Sequence, residues 1–161
     1  MKVLFVCLGN ICRSPLAEGI FNQMLKEQNL DNTIEVDSAG TASYHTGELP
    51  DHRSIKIAAK RGIELTHRAR AIDKKDFAEF DYILVMDKEN FKDVKNIEKN
   101  APEKKAKVHL IREFDPDVTS TSIPDLEDPY YGVEKSFETC FEILERSNAV
   151  FLEFLKKQYQ L

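Results

Sequence analysis

Hydrophobic positions along the chain fall into two kinds of pattern that follow each other in turn. Short apolar runs rich in β-branched and aromatic residues predict β-strands at residues 2–6, 33–37, 82–86 and 107–111. Elsewhere, apolar residues recur at every third or fourth position. This spacing predicts helices over residues 14–25, 55–62, 73–80, 91–97 and 133–157.

The regular succession of strands and helices indicates the architecture of the fold. A strand that is followed by a helix and a further strand forms a parallel pair through a right-handed crossover. We therefore expect an α/β fold in three layers, in which helices cover both faces of a four-stranded, twisted parallel sheet. The 161 residues contain no repeat and no interior linker, so we expect one domain over residues 1–161.

Composition narrows the classes of function. The 42% of hydrophobic residues suffices for one core, and the net charge of -5 does not favour nonspecific binding to nucleic acid. No run of about 18 apolar residues is present, and the first residues begin a strand rather than a leader peptide. The three cysteines are an odd number, which argues against a disulfide framework. We expect a cytoplasmic monomer with no nucleic-acid or membrane partner.

The most informative segment is Val6–Pro15, which joins the first predicted strand to the first predicted helix. It reads Val-Cys-Leu-Gly-Asn-Ile-Cys-Arg-Ser-Pro and has Cys7 at the strand end and Arg13 next to the helix. Ser14 is a favourable N-cap and Pro15 suits the first helical position, which predicts that the helix starts directly after Arg13. A thiol attacks as its thiolate, and a helix N-terminus and a guanidinium both stabilise that anion.

The same segment predicts a phosphate site. A glycine allows the backbone to curl tightly, so the loop amides and the helix N-terminus point to one spot that attracts a phosphate dianion. The guanidinium of Arg13 adds parallel donors that match phosphate oxygens. Around the nucleophile Cys7, the loop residues expected to bind phosphate or substrate are Leu8, Gly9, Asn10, Ile11, Cys12 and Ser14.

A phosphatase that uses a cysteine also needs a proton donor for the leaving group. The longest irregular segment, residues 115–132, offers five carboxylic acids, namely Asp115, Asp117, Asp125, Glu127 and Asp128. Asp115 and Asp128 each precede a proline, which stiffens the backbone. Only Asp128 has an aromatic pair beside it, Tyr130 and Tyr131, and these rings suit the wall of a slot for a flat aryl group. The residues place Asp128 ahead of Asp115 and leave both as candidates.

The segment Val6–Pro15 resembles the active-site loop of the low-molecular-weight protein tyrosine phosphatases. Three further segments agree in order with that family, namely Asp37-Ser38-Ala39-Gly40-Thr41, Met86-Asp87 and Asp128-Pro129-Tyr130-Tyr131-Gly132. The resemblance covers nearly the whole chain. It implies a flavodoxin-like sheet with strand order 2-1-3-4. It also implies hydrolysis of phosphotyrosine in proteins, which are then the expected partners, and of aryl phosphates.

The resemblance implies a role for each catalytic residue. Cys7 attacks phosphorus and forms a phosphocysteine, while Arg13 and the loop amides stabilise the transition state. Asp128 acts first as general acid and then as general base toward water, which releases inorganic phosphate. Ser14 donates to the leaving thiolate. Neither a metal nor a cofactor is required by this mechanism.

Three residues are assigned to support of the loop by the same resemblance. Asn10 and Ser38 hold the loop through side-chain hydrogen bonds, and His67 bonds the Ser14 position. From the residues alone, Asn10 is also explained as a residue that tolerates a positive φ. His67 is equally compatible with an ordinary surface histidine.

Two residues are expected near the pocket, one as support and one as a wall. Asp87 resembles an acid that the family carries near the pocket, although by sequence alone it is also an ordinary helix cap. Tyr44 stands where many members of the family carry a tryptophan. We expect Tyr44, together with Leu8, to form a wall of the substrate groove.

The remaining two cysteines lead to different hypotheses. Cys12 is five residues from Cys7, and mild oxidation of the loop is expected to form a Cys7–Cys12 disulfide that reversibly inactivates the enzyme. Packing alone would also explain Cys12. Cys140 lies on the apolar stripe of the last predicted helix, so packing explains its presence.

Three different functions are compatible with parts of this pattern. An arsenate reductase shares the loop by resemblance but relays oxidation through further cysteines, and none lies between Cys12 and Cys140. A phosphate-binding module without catalysis would use the same loop, and so would a phosphocysteine carrier. Both of these have little use for an acid such as Asp128.

Overall fold

The computed structural model describes all residues from 1 to 161. Its centre is one sheet of four strands in the order β2-β1-β3-β4, and every neighbouring pair is parallel. The strands are β1 (Lys2–Cys7), β2 (Glu35–Gly40), β3 (Tyr82–Val85) and β4 (Lys107–Leu110). The predicted parallel sheet and the strand order 2-1-3-4 are confirmed.

Five helices accompany the sheet, together with two short 3-10 turns at residues 111–114 and 129–131. The helices are α1 (Arg13–Glu27), α2 (His52–Ala59), α3 (Asp76–Glu79), α4 (Lys88–Glu98) and α5 (Glu134–Tyr159). No helix combines the length and the apolar character that crossing a membrane requires.

Alternate residues of β1 define the two faces of the sheet. Val3 and Phe5 belong to a hydrophobic cluster that includes α1, α2 and α5. Leu4 and Val6 belong to a second cluster with α3 and α4. Side chains on a strand point to opposite faces in turn, so helices cover both faces of the sheet. Cys7 continues the first set, and its side chain points toward α1 and α5.

The second strand begins and ends later than its sequence predicts. It covers residues 35–40 instead of 33–37, and Ser38, Ala39 and Gly40 pair with Phe5, Val6 and Cys7. Small residues have a low intrinsic preference for strands, so the local pattern ends early. The parallel register with β1 overrides that preference and brings the end of β2 beside the Cys7 loop.

The start of α1 also differs from the prediction. The helix begins at Arg13, and Cys12 occupies the N-cap position without a side-chain capping bond. The prediction of Ser14 as N-cap is therefore wrong. The Ser14 hydroxyl is buried and contacts the Cys7 sulfur, the Asn10 amide and the Ala39 carbonyl instead. The Ser14 hydroxyl is therefore bonded to the loop and to the ends of β1 and β2, and not to the free amides of the helix.

Candidate active site

The thiol of Cys7 lies at the carboxyl end of β1 and is almost completely buried, with 2% of the residue exposed. The loop that follows curls back over the sulfur. The main-chain N–H of Asn10 donates to Sγ over 3.3 Å, and the Ser14 hydroxyl lies 3.1 Å from the same atom. Both groups are placed to donate a hydrogen bond to the sulfur.

Asn10 fixes the shape of this loop. Its φ of 57° lies in the left-handed region, which Asn tolerates better than most residues. Its side-chain amide donates to Ser14 Oγ over 2.8 Å and to Ser38 Oγ over 3.0 Å. Its carbonyl oxygen accepts from the Arg70 amide at 3.0 Å and lies 2.8 Å from Nε2 of His67. The expected bond from His67 to Ser14 is therefore wrong, because His67 reaches Asn10.

Gly40 allows the end of β2 to approach the loop. A Cβ atom at this position would lie 2.7 Å from the Leu8 carbonyl oxygen and 3.1 Å from the Gly9 carbonyl carbon. These are main-chain atoms, which cannot rotate away. The next amides complete the contact, since Thr41 donates to the Cys7 carbonyl and Ala42 to the Leu8 carbonyl. A side chain on Gly40 would therefore displace the loop.

Glu18 is a member of the site that sequence reasoning missed. It accepts a hydrogen bond from Ser38 Oγ over 2.6 Å, and its Oε2 lies 3.3 Å from Nδ1 of His67. Asp37 lies 3.4 Å from the same nitrogen. Burial raises the pKa of Glu18 to about 7, and burial lowers the pKa of His67. If His67 is neutral and donates from Nε2 to Asn10, its Nδ1 lone pair faces the carboxylates of Glu18 and Asp37. A proton between Nδ1 of His67 and Glu18 relieves that repulsion.

Glu18, Asp37 and His67 are also the one cluster in the chain with ligand atoms close enough to hold a metal ion, all within 4.8 Å. Each of these ligands already has a protein partner. Asp37 forms an ion pair with Arg70 at 2.9 Å, and Glu18 accepts from Ser38. The cluster therefore supports the Cys7 loop from outside, through His67 and Asn10 and through Glu18 and Ser38.

The two edges of the Arg13 guanidinium differ in how firmly they are bonded. Its Nη1 atom donates to Asp87 Oδ2 and to the Leu126 carbonyl, each at a distance of 2.7 Å. The buried Nε atom has no partner, and Nη2 lies 3.5 Å from Asp128 Oδ2. The fixed edge holds the guanidinium in place. The second edge is made of the unpartnered Nε atom and of Nη2, whose contact with Asp128 is long, and it offers the two parallel donors that suit a phosphate.

Asp87 satisfies both interpretations of its sequence position. Its Oδ1 atom accepts from the Asn90 amide over 2.7 Å and so caps α4. Its Oδ2 atom accepts from Arg13. One carboxylate therefore ties the start of α4 to the guanidinium beside Cys7.

A pocket opens above the Cys7 thiol. It is lined by Cys7, Leu8, Gly9, Ile11, Cys12, Arg13, Tyr44, His45, Asp128, Tyr130 and Tyr131. Of the five acids in the long segment, only Asp128 lines this pocket. Asp115 is buried against Arg112 and Arg146, with hydrogen bonds to both, which excludes it as the proton donor. The predicted nucleophile, arginine and acid are thus brought together, while Asn10 and Ser14 do not line the pocket.

Comparison with known proteins agrees with this geometry. Residues 2–161 match the family model described as low molecular weight phosphotyrosine protein phosphatase. The chain belongs to this family. It is 44% identical to the low molecular weight phosphotyrosine protein phosphatase of Gallus gallus over 152 residues, which is 94% of each chain. Membership of this hydrolase family makes the chain an enzyme and so decides against a phosphate-binding module without catalysis.

Two solved structures of similar proteins cover nearly the whole chain. The crystal structure of a protein tyrosine phosphatase from Entamoeba histolytica has a TM-score of 0.86 and 35% identity, and covers 100% of this chain and 99% of that one. The crystal structure of a Drosophila arginine phosphatase has a TM-score of 0.89 and 32% identity, and covers 97% of this chain and 98% of that one.

Exposed aromatic rings form the rim of the phosphatase pocket. Tyr131 is 92% exposed and Tyr44 is 75% exposed, and both line the opening. Tyr130 meets Tyr131 edge to face, with ring centroids 4.9 Å apart, and the Arg53 guanidinium lies 5.5 Å from the Tyr130 centroid. His45 also lines the pocket and was missed, because a lone histidine in a polar segment carries no sequence signal.

Cys12 and Cys140 differ from Cys7 in their surroundings. Burial raises the pKa of Cys12, and the nearby Asp51 carboxylate adds to the rise. Cys140 belongs to the larger hydrophobic cluster, as its position on the apolar stripe predicts, and burial raises the pKa of its thiol to about 12. Both are held as thiols. All three cysteines are free.

Proposed function

We propose that the enzyme hydrolyses phosphotyrosine in proteins, and aryl phosphates, through a phosphocysteine formed on Cys7. One observation carries the proposal. The Cys7 thiol, the guanidinium of Arg13, whose Nε atom has no protein partner, and the Asp128 carboxylate line one pocket. In-line attack on a phosphate monoester needs a nucleophile, an anion cradle and an acid in this arrangement.

In the first step, the Cys7 thiolate attacks phosphorus opposite the phenolic oxygen. The Nε and Nη2 atoms of Arg13 and the loop amides hold the three equatorial oxygens, whose interactions strengthen as charge spreads in the transition state. Asp128 gives its proton to the departing phenolate. A phosphocysteine and a free phenol result.

In the second step, the ionised Asp128 removes a proton from a water molecule that attacks the phosphocysteine. The sulfur leaves as a thiolate and inorganic phosphate is released. The Ser14 hydroxyl, 3.1 Å from Sγ, is available to donate to that thiolate. Each charge that develops has a protein partner, so the mechanism requires neither a metal nor a cofactor.

The pocket walls support an aryl phosphate over a phosphoarginine. Leu8, Tyr44, Tyr130 and Tyr131 line the pocket with apolar and aromatic surface, which suits a flat aryl group. A guanidinium group can also stack on such rings, but its N–H donors additionally need acceptors such as carboxylates. Asp128 is the one carboxylate that lines the pocket, and it is needed as the acid.

The enzyme is further proposed to act as a cytoplasmic, single-domain monomer on phosphoproteins, without a nucleic-acid or membrane partner. Three free cysteines support a reducing compartment, which a working thiol needs. The net charge of -5 supports the absence of nucleic-acid binding.

The test is hydrolysis of an aryl phosphate, a phosphotyrosine peptide and a phosphoarginine peptide, under reducing conditions and without added metal. Wild type is compared with Cys7→Ser, Asp128→Asn and the control Cys140→Ala. We expect no turnover for Cys7→Ser, roughly a 100-fold or greater loss for Asp128→Asn, and near wild-type rates for the control. Turnover that survives in Cys7→Ser would refute the mechanism, and faster hydrolysis of the phosphoarginine peptide would refute the substrate class.

A further inference from the structure

The acid Asp128 lies at the end of a long irregular loop, residues 115–128, that we call the acid loop. Both ends of this loop meet at Arg112, a residue of the 3-10 turn after β4. The Arg112 Nε atom donates to Asp115 Oδ2 over 3.0 Å, and Nη1 donates to the Asp125 carbonyl over 3.2 Å. One guanidinium therefore joins the first residue of the loop to a residue close to its end.

The first end of the acid loop is firmly anchored. The Asp115 side chain is completely buried. Arg146 of α5 donates to it from Nε over 2.7 Å and from Nη2 over 3.0 Å, and the Asp117 amide donates over 3.0 Å. This carboxylate is a fixed point that connects the loop to α5 and to the 3-10 turn.

The second end of the acid loop contacts the catalytic groups directly. Asp125 Oδ1 accepts from the Lys88 amide over 2.9 Å, at the start of α4. The Leu126 amide donates to the Met86 carbonyl over 2.9 Å, and the Leu126 carbonyl accepts from Arg13 over 2.7 Å. The position of residues 125–126 thus affects both Arg13 and the acid two residues further on.

The middle of the acid loop does little to hold these ends together. Residues 119–122 are exposed, and the side-chain hydrogen bond formed there is local, from the Ser122 amide to Ser120 Oγ. Direct linkage of the two ends falls to Arg112, whose side chain is only 17% exposed. Catalysis is sensitive to such placement, since a displacement of about 1 Å can cost a factor of roughly 100 in rate.

We propose that Arg112 is a positioning residue for the acid Asp128, because it fastens the end of the acid loop to the buried Asp115 anchor. This inference rests on the proposed function of Asp128 as general acid. Arg112 does not line the pocket above Cys7 and does not contact the thiol. Its main effect is therefore expected on the proton transfers of Asp128, and in kcat/KM on protonation of the departing phenol.

Two arginines on one carboxylate provide a matched comparison. Arg112→Met and Arg146→Met each remove one partner from Asp115, but only Arg112 contacts Asp125. The value of kcat/KM is measured for aryl phosphates whose phenols range from strongly to weakly acidic, since a weakly acidic phenol depends most on the proton donor. We expect Arg112→Met to lower kcat/KM by roughly 10-fold or more for the weakly acidic phenols and much less for the strongly acidic ones. Arg146→Met is expected to lower the melting temperature without this dependence.

A double substitution separates positioning from general damage. In the Asp128→Asn background, Arg112→Met is expected to cause no further loss in kcat/KM for the weakly acidic phenols, because the acid it positions is gone. Arg112→Lys serves if the methionine variant fails to fold, since it keeps the charge but not the fork that spans both ends. Equal effects of Arg112→Met and Arg146→Met, or a loss that persists without Asp128, would overturn the proposal. An Asp128→Asn variant that shows no leaving-group dependence would instead overturn the proposed function.

Discussion

The Nη1 atom of Arg13 donates to the Leu126 carbonyl over 2.7 Å. The residue proposed to bind phosphate therefore also fixes the segment that carries the proposed acid. Asp87 accepts from the same nitrogen and holds it from the other side. The Cys7 loop and the acid loop are far apart in the sequence, and the Arg13 guanidinium connects them directly. A change in Arg13 is expected to disturb both.

Arg13→Lys tests this double role. A lysine carries one ammonium group, which cannot bond Asp87 and Leu126 and also present two parallel donors to phosphate. We expect a loss in kcat of about 100-fold or more, weaker binding of inorganic phosphate, and a lower melting temperature. Activity assays, calorimetric titration with phosphate and thermal unfolding measure these three effects. Arg53→Lys, on the rim, is the control. Wild-type phosphate affinity in Arg13→Lys would contradict the expectation.

Asn10 combines a positive φ with side-chain bonds, and two substitutions separate these contributions. Asn10→Gly loses the bonds but tolerates the φ of 57°, whereas Asn10→Ala loses the bonds and is strained as well. Both variants are expected to lose activity, because Ser14 and Ser38 lose a common donor. The free energy of unfolding, measured with urea, should fall by about 1 kcal/mol more for the alanine variant. Equal values for the two would mean that the loop relaxes to another conformation.

Stability at acid pH is expected to depend on Asp115. Burial alone would raise its pKa, but hydrogen bonds from Arg146, the Asp117 amide and Arg112 outweigh burial and lower the pKa below its usual value. A lowered folded-state pKa stabilises the protein above the ordinary carboxyl pKa of about 3.9. That stability is lost as the pH falls through the folded-state value.

Asp115→Asn removes this contribution. We expect it to lower the free energy of unfolding by about 3 kcal/mol at pH 7, where two arginines lose their charged partner. The difference from wild type should shrink as the pH falls below about 4, since wild type then loses the same interaction. Urea unfolding across this pH range provides the measurement, with the exposed Asp117 changed to Asn as the control. A difference that does not change with pH would show that Asp115 acts through packing alone.

The parts of the site that were predictable are those that lie close together in sequence. Cys7 and Arg13 belong to one strand-loop-helix segment, so the residues that predict the local structure also predict the phosphate site. The parallel sheet was predictable because short apolar runs alternate with helical patterns along the chain. Asp128 was separable from Asp115 only through the family resemblance. The structure adds the reason, which is that two arginines occupy Asp115.

The parts that were missed depend on tertiary contacts. Glu18 has the appearance of a dipole-favoured acid near a helix start, yet it bonds Ser38 from another strand. Ser14 fits an N-cap by sequence, and its bond from the Asn10 side chain becomes apparent only when the loop has folded. Arg112 resembles any surface arginine. A pattern along the chain cannot show which of several compatible partners a polar side chain meets.

The last prediction concerns oxidation of the loop. Cys7 and Cys12 line the same pocket, and both are free thiols. Peroxide oxidises the Cys7 thiol to a sulfenic acid. The Cys12 sulfur then attacks the Cys7 sulfur, and a disulfide forms with loss of water. We expect peroxide-treated wild type to show a Cys7–Cys12 bridge by mass spectrometry and to regain activity with dithiothreitol. Cys12→Ser should instead pass to the sulfinic acid and stay inactive, whereas Cys140→Ala should behave as wild type. Recovery of Cys12→Ser to the wild-type level would mean that Cys12 has only a packing role.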